Sequence, residues 1–78
     1  MYVYILRSLS TENQEYVGST KDLRQRLGQH NRGEQYHTEK YRPWKLKAAF
    51  WFETDEKAVQ FEKYLKSGSG FSFRKRHF

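Results

Sequence analysis

The sequence predicts a small α/β (α+β) domain: a three-stranded, largely antiparallel sheet flanked by helices, in the order β-β-α-β-α with a short C-terminal element. Three observations carry this expectation. β-Branched and aromatic residues gather in three short runs, at 2–8, 15–19 and 44–53. Two further segments begin near an acid and then repeat apolar residues at helical spacing. A chain of 78 residues has room for a single domain, 1–78, and not for two.

Tyr2 to Ser8 reads as the first strand and Glu15 to Ser19 as a second, shorter one. The polar stretch from Thr11 to Gln14 between them is turn material, so the pair reads as an antiparallel hairpin. Tyr4 and Tyr16 then lie on neighbouring strands, close together if the register puts them on one face. Asp22 suits a helix start, as cap or first-turn acid, and Leu23 and Leu27 supply its buried stripe. Gly28 inside this helix costs about 1 kcal/mol against alanine, which close approach of a backbone or ligand would justify. Residues 31–43 read as a loop, long for a compact domain, and long loops are often functional.

From Trp44 to Glu53 the pattern alternates, with Trp44, Leu46, Ala48, Phe50 and Phe52 on one face. This third strand is expected to form the central apolar layer. Thr54, Asp55 and Glu56 open a second helix whose apolar side holds Ala58, Phe61 and Leu65, with Gly68 as its C-terminal stop. The tail from Phe71 to Phe78 alternates aromatic and polar residues before turning basic, and fits either a short strand or a last helical turn.

Composition narrows the partners. Fifteen Lys and Arg against nine Asp and Glu give a net charge of +6, which favours a polyanion, nucleic acid ahead of an anionic membrane. The apolar run from Tyr2 to Leu6 stops at Arg7, too short for a signal peptide or membrane span. With no cysteine the chain has no disulfide, thiolate zinc site or cysteine nucleophile, which suits the cytoplasm. Ser19 and Ser67 have no base at motif spacing, so no serine nucleophile is assigned.

One scattered set can hold a phosphate, a metal ion and a water together: Tyr4, Tyr16, Arg26, His30 and Glu62. Arg26 and His30 stand one helical turn apart, and Glu62 sits on the second predicted helix. Each has an ordinary use when taken alone. Tyrosines are common in strands, cations suit a helix C-terminus, and Glu62 can pair with Lys66 at i,i+4. Their joint spacing is what favours a site.

That spacing resembles the GIY-YIG nuclease superfamily. Tyr2-Val3-Tyr4 stands where the first family triplet belongs, keeping only its final tyrosine, and Tyr16-Val17-Gly18 stands at the second, with valine for isoleucine. Arg26 follows Tyr16 by ten residues and His30 by fourteen, as in the family helix. Glu62 looks like the family's metal-binding glutamate, and Lys66-Ser67-Gly68-Ser69-Gly70 is similar to the ending of small stand-alone members. The family's late asparagine has no counterpart, because Asn13 and Asn31 both come early. Ser67, Ser69 and Arg74 are the candidates to replace it.

The resemblance implies a divalent-metal-dependent endonuclease that hydrolyses DNA, in repair or recombination. Arg26 would offer a planar, permanent cation to two phosphate oxygens. Glu62 would hold Mg²⁺, with Mn²⁺ able to substitute, and a single carboxylate leaves positions for water and substrate. Tyr16 is the family's candidate general base, and nearby cations (Arg26, Lys21, the metal) favour a phenolate. His30 competes for that role, since imidazole titrates near neutrality. Tyr4 would orient the water or the phosphate. Lys21, Arg24, Arg32, His37, Lys40, Arg42, Lys66, Arg74, Lys75 and Arg76 are the expected nucleic-acid contacts; His37 and Thr38 also stand in the long loop where the family often places an accessory polar residue, with His37 the candidate.

Two rival readings use the same basic surface. A catalytically weak or inactive nucleic-acid-binding module follows from the missing asparagine. A protein-interaction domain would turn the basic face to an acidic partner. A lone catalytic domain also has no separate reading module, so a protein partner or self-association is expected to supply specificity.

Overall fold

The most apolar strand takes the middle of the sheet. In the computed structural model, which describes residues 1–78, β1 (Tyr2–Ser8) lies between β2 (Glu15–Thr20) and β3 (Trp44–Trp51), and both pairings are antiparallel. Three helices complete the α+β fold: α1 (Leu23–Asn31), α2 (Asp55–Lys66) and α3 (Gly68–His77). A single 3₁₀ turn, Glu39–Tyr41, interrupts the loop before β3. Val3, Tyr4, Ile5 and Leu6 are all buried, as a central strand covered on both faces requires.

The expectation that β3 would be the central layer is corrected, for it forms an edge, and its apolar residues do not share one face. Ile5 lies opposite Ala48 but Leu6 lies opposite Leu46, so Lys47 is an extra residue in a bulge. An inserted residue inverts the in–out alternation of the strand beyond it. Trp44 therefore packs with Tyr4 and Leu6, backed by Leu23 and Leu27 of α1. Ala48 and Phe50 pack on the other side, against Val3, Ile5, Val17, Ala58 and Leu65. The sheet thus has two cores, one under α1 and one under α2 and α3.

Both expected helix starts are present. The Asp22 side chain accepts from Gln25 N at 3.0 Å, and Thr54 Oγ1 accepts from Lys57 N at 3.2 Å. Two features near the C-terminus differ from expectation. Gly68 does not stop α2 but begins α3, and the tail is a ten-residue helix. Ser67 makes the corner between them: its hydroxyl donates to Tyr64 O at 2.6 Å and accepts from Gly70 N at 3.1 Å. The glycines and serines of α3 are poor helix formers, so its fold rests on tertiary contacts. Phe73 packs edge-on against Tyr64, and Arg74 donates to Glu15 at 2.7 Å. Lys47 pairs with the same carboxylate, so the bulge residue and α3 share one anchor.

Gly70 is where α3 meets α2. A Cβ there would stand 1.8 Å from Tyr64 O, whereas one at Gly68 would meet nothing within 4 Å. Gly70→Ala is expected to cost on the order of 1–3 kcal/mol through overpacking, and Gly68→Ala to be neutral or mildly stabilising. Thermal denaturation of the two variants checks this, and equal melting temperatures would contradict it.

Candidate active site

The hairpin register answers the question left open by the strands. Tyr4 lies opposite Gly18 and Leu6 opposite Tyr16, so the two tyrosines share the α1 face of the sheet. Their ring centroids are 6.2 Å apart. A Cβ on Gly18 would lie 2.6 Å from Tyr4 Oη and 2.9 Å from Tyr16 Cε2. Glycine is required here because two aromatic side chains close over its α-carbon, and Tyr4 ends 1% exposed.

α1 brings the next members. His30 is its one buried residue, with no exposed surface, at the end of a helix otherwise half open to solvent. Its Nε2 lies 2.9 Å from Tyr4 Oη and its Nδ1 2.8 Å from Thr38 Oγ1. Its ring centroid is 5.0 Å from that of Tyr16. Arg26, one turn earlier, acts on both buried groups. Burial pushes the Tyr4 phenol up to about 12, helped by charge on Tyr16 and Glu62 and opposed by Arg26. Burial, then the Arg26 cation, holds the His30 imidazole below its ordinary value. At neutral pH Tyr4 is therefore a phenol and His30 an uncharged imidazole.

Glu62 approaches from α2. Its burial favours the neutral acid, but hydrogen bonds from Lys66 and Ser19, with the Lys66 charge, outweigh that and keep it ionised. Lys66 Nζ stands 2.7 Å from Glu62 Oε2 and 6.0 Å from the centre of the Tyr16 ring. Tyr4, Tyr16, Arg26 and His30 thus gather on the α1 face of the hairpin, and Glu62 reaches them from α2, past Ser19 of β2, close enough for its charge to act on Tyr4. No group of three or more His, Cys, Asp or Glu gathers anywhere to hold a metal. A lone ionised carboxylate, partly exposed, suits a hydrated Mg²⁺ whose other positions are water and phosphate oxygens.

The remaining expected residues are placed unevenly. Lys21, Arg24, Arg32, His37, Lys40, Arg42, Lys66, Lys75 and Arg76 are exposed. Arg32 pairs with Glu34, and Arg42 Nε donates to Glu39 O at 3.0 Å. His37 packs edge-on against the exposed Tyr36 ring and does not join His30. Its neighbour Thr38 does. Arg74 is largely buried on the opposite side, tied to Glu15, so it is not an open phosphate contact. Neither it nor Ser67, which caps α3, stands in for an active-site asparagine. Ser19, as a donor to Glu62, is a site residue the sequence does not single out, and Thr38 takes the inward place for which the sequence favours its neighbour His37. Thr38 carries no local signal because its partner is a tertiary one, eight residues back.

The lowered His30 value makes a pH prediction. The unfolded chain binds more protons than the folded one just below 6.5. Stability is therefore full above that pH and lost as pH falls through the folded value. Glu62 contributes in the same direction but in a lower window, below 4.5. Urea unfolding at about pH 8 and about pH 5 is expected to show a larger loss for the wild type than for His30→Gln. Equal losses would contradict a buried neutral imidazole.

Residues 1–76 match the sequence profile of the GIY-YIG catalytic domain. The structure-specific endonuclease subunit SLX1 of Malassezia globosa is 43% identical over 63 residues, covering 76% of this chain and 14% of that protein. The protein of the same name from Debaryomyces hansenii is 38% identical over 71 residues, covering 82% and 20%. That of Kluyveromyces lactis is 41% identical over 66 residues, covering 76% and 23%. The chain thus spans less than a quarter of the length of these curated relatives. No solved structure matches it. With Tyr4 and Tyr16 of its two triplets on one hairpin face and Arg26, His30 and Glu62 gathered around them, the chain belongs to the GIY-YIG catalytic domain family.

Proposed function

We propose that this domain is a metal-dependent endonuclease that hydrolyses DNA phosphodiesters at branched or otherwise irregular structures. The observation that carries the reading is the convergence of Arg26, His30 and Glu62 on the paired tyrosines Tyr4 and Tyr16 of the hairpin. The relatives' name, structure-specific endonuclease subunit, supports the substrate class. The word subunit also supports a protein partner that supplies specificity, with self-association the other route. Repair or recombination is the setting such a substrate implies, and a chain without cysteine suits the reducing cytoplasm or nucleus.

The chemistry divides among the residues by their access. Water attacks phosphorus, its proton passes to a base, and the bond to the 3′ oxygen breaks. His30 has both ring nitrogens committed and no exposed surface, so it does not take that proton directly. Tyr4 holds its own proton firmly and orients. Tyr16 is the accessible phenol of the pair and is assigned the base. Arg26 meets the charge that grows on the phosphoryl oxygens. Glu62 would hold Mg²⁺, or Mn²⁺ in its place, which when bound stabilises the leaving 3′ oxygen as a Lewis acid. Lys21, Arg24, Lys40 and Arg42, exposed on α1 and the loops beside it, would track the flanking phosphates. Lys75 and Arg76 lie on α3 and would meet a more distant segment.

Under this reading, Arg26→Ala, Glu62→Ala and Tyr16→Phe each lower single-turnover cleavage of a branched DNA by on the order of 10²–10³-fold without unfolding the domain. Chelation of Mg²⁺ abolishes cleavage and Mn²⁺ restores it. Unchanged cleavage in both Arg26→Ala and Glu62→Ala would overturn the site. The inactive binding module remains the second reading, favoured by one observation: two of the three candidates for the late asparagine's place, Ser67 and Arg74, are spent on α3. Salt-sensitive DNA binding with no cleavage in either metal would select it.

A further inference from the structure

A buried chain of hydrogen bonds runs from the site floor into the loop before β3. Tyr4, His30 and Thr38 are each no more than 1% exposed. Tyr4 Oη meets His30 Nε2 at 2.9 Å, and His30 Nδ1 meets Thr38 Oγ1 at 2.8 Å. Thr38 Oγ1 meets the Gln35 carbonyl at 3.3 Å. The loop holds Thr38 rigidly. Its carbonyl accepts from Trp44 Nε1 at 2.9 Å, and its own N–H donates to Gln35 O at 3.1 Å. Asn31 ties the two ends of the loop through both polar atoms of its side chain, to Trp44 N and O.

With an uncharged imidazole, two proton arrangements are possible along this chain. In one, Tyr4 donates to Nε2, Nδ1–H donates to Thr38, and Thr38 donates to the Gln35 carbonyl. In the other, every proton is reversed: Thr38 donates to Nδ1, and Nε2–H donates to Tyr4. The second arrangement takes the Thr38 proton from a carbonyl that can only accept. It also leaves the Tyr4 proton without an acceptor among its bonded neighbours, since Arg26 beside it can only donate. The first arrangement places every proton on an acceptor and leaves the Tyr4 lone pairs facing Arg26. Buried polar groups adopt the arrangement that satisfies them.

We propose that Thr38 is a positioning residue that fixes His30 as its Nδ1–H tautomer, and so makes the Tyr4 oxygen an acceptor toward whatever enters the site. Free imidazole side chains favour the opposite tautomer, so the protein must impose this one. An accepting Tyr4 oxygen orients an O–H of the attacking water. A donating one would instead grip a phosphate oxygen. The functional half of this inference rests on the nuclease reading above, but the tautomer itself does not.

Two measurements separate those halves. Nitrogen-15 shifts of the His30 ring, read by long-range ¹H–¹⁵N correlation, report the tautomer whether or not the protein cuts DNA. The wild type and Thr38→Ser are expected to carry the proton on Nδ1, and Thr38→Val to lose that preference. In single-turnover cleavage, Thr38→Val is expected to lower the rate on the order of 10- to 100-fold with DNA affinity unchanged, and Thr38→Ser to restore most of it. A wild-type proton on Nε2, or a folded Thr38→Val that keeps the Nδ1 proton and the full rate, overturns the proposal. If Thr38→Val does not fold, the wild-type tautomer and a failed rescue by Thr38→Ser still decide against it. A wild type that shows the Nδ1 tautomer and never cuts DNA refutes the nuclease reading and, with it, the assigned role of Tyr4.

Discussion

The hydrogen bond between Tyr4 and His30 joins the central strand to the first helix, and the rest of the site depends on it. α1 is nine residues long and buries a single side chain, His30. An isolated helix of that length is not stable in water. Leu23 and Leu27 lie against the Tyr4 and Leu6 core but remain partly open. The imidazole therefore does what a large apolar residue does elsewhere, except that its contact is polar and directional. Breaking it leaves a buried donor or acceptor without a partner, at about 1–3 kcal/mol. The same bond that seats α1 also sets the position of Arg26, one turn away, beside the Tyr4 hydroxyl. Stability and geometry of the site are thus one interaction.

The sheet divides its duties between its faces. The α1 face carries Tyr4 and Tyr16 with Arg26 and His30 of α1, and Glu62 reaches them from α2. The other face carries the larger apolar core, built from Val3, Ile5 and Val17 with Ala58 and Leu65 of α2. The bulge at Lys47 lets one edge strand serve both, with Trp44 on the first side and Phe50 on the second. Electrostatics follow the same division. Arg74 and Lys47 neutralise Glu15 at the base of α3, a structural use of charge, whereas Lys21, Arg24 and Lys40 are exposed and in no salt bridge.

Much of this was legible in the sequence, and the reasons for the rest are physical. Runs of β-branched and aromatic residues mark β1 and β2, and Asp22 and Thr54 mark their helices because capping is local chemistry. The site residues were legible as a spaced set, since two triplets and a helical Arg-to-His turn leave a pattern along the chain. Gly18 acquires its reason only in space, where two tyrosine rings close on it. β3 misleads because a bulge is a property of a pair of strands, and the alternation of one strand does not reveal it. α3 misleads because Phe71 and Phe73 alternate like a strand, yet Phe73 packs on Tyr64 while Phe71 remains exposed. Gly28 had been expected to admit a close neighbour. A Cβ there would meet only the flexible end of Arg32, so no tertiary contact explains it. Thr38 was passed over for His37, because an exposed-looking loop gives no sign of which residue turns inward.

The central claim is that one carboxylate on α2 and two tyrosines on the hairpin act on the same phosphate. Paramagnetic broadening by Mn²⁺ tests it most directly, recorded on backbone amides with a 5′-phosphorylated product DNA bound. The account predicts broadening centred on Glu62 and spreading to Tyr16, Ser19 and Tyr4, and its disappearance in Glu62→Ala. Broadening centred away from the hairpin, or unchanged by loss of Glu62, would contradict it.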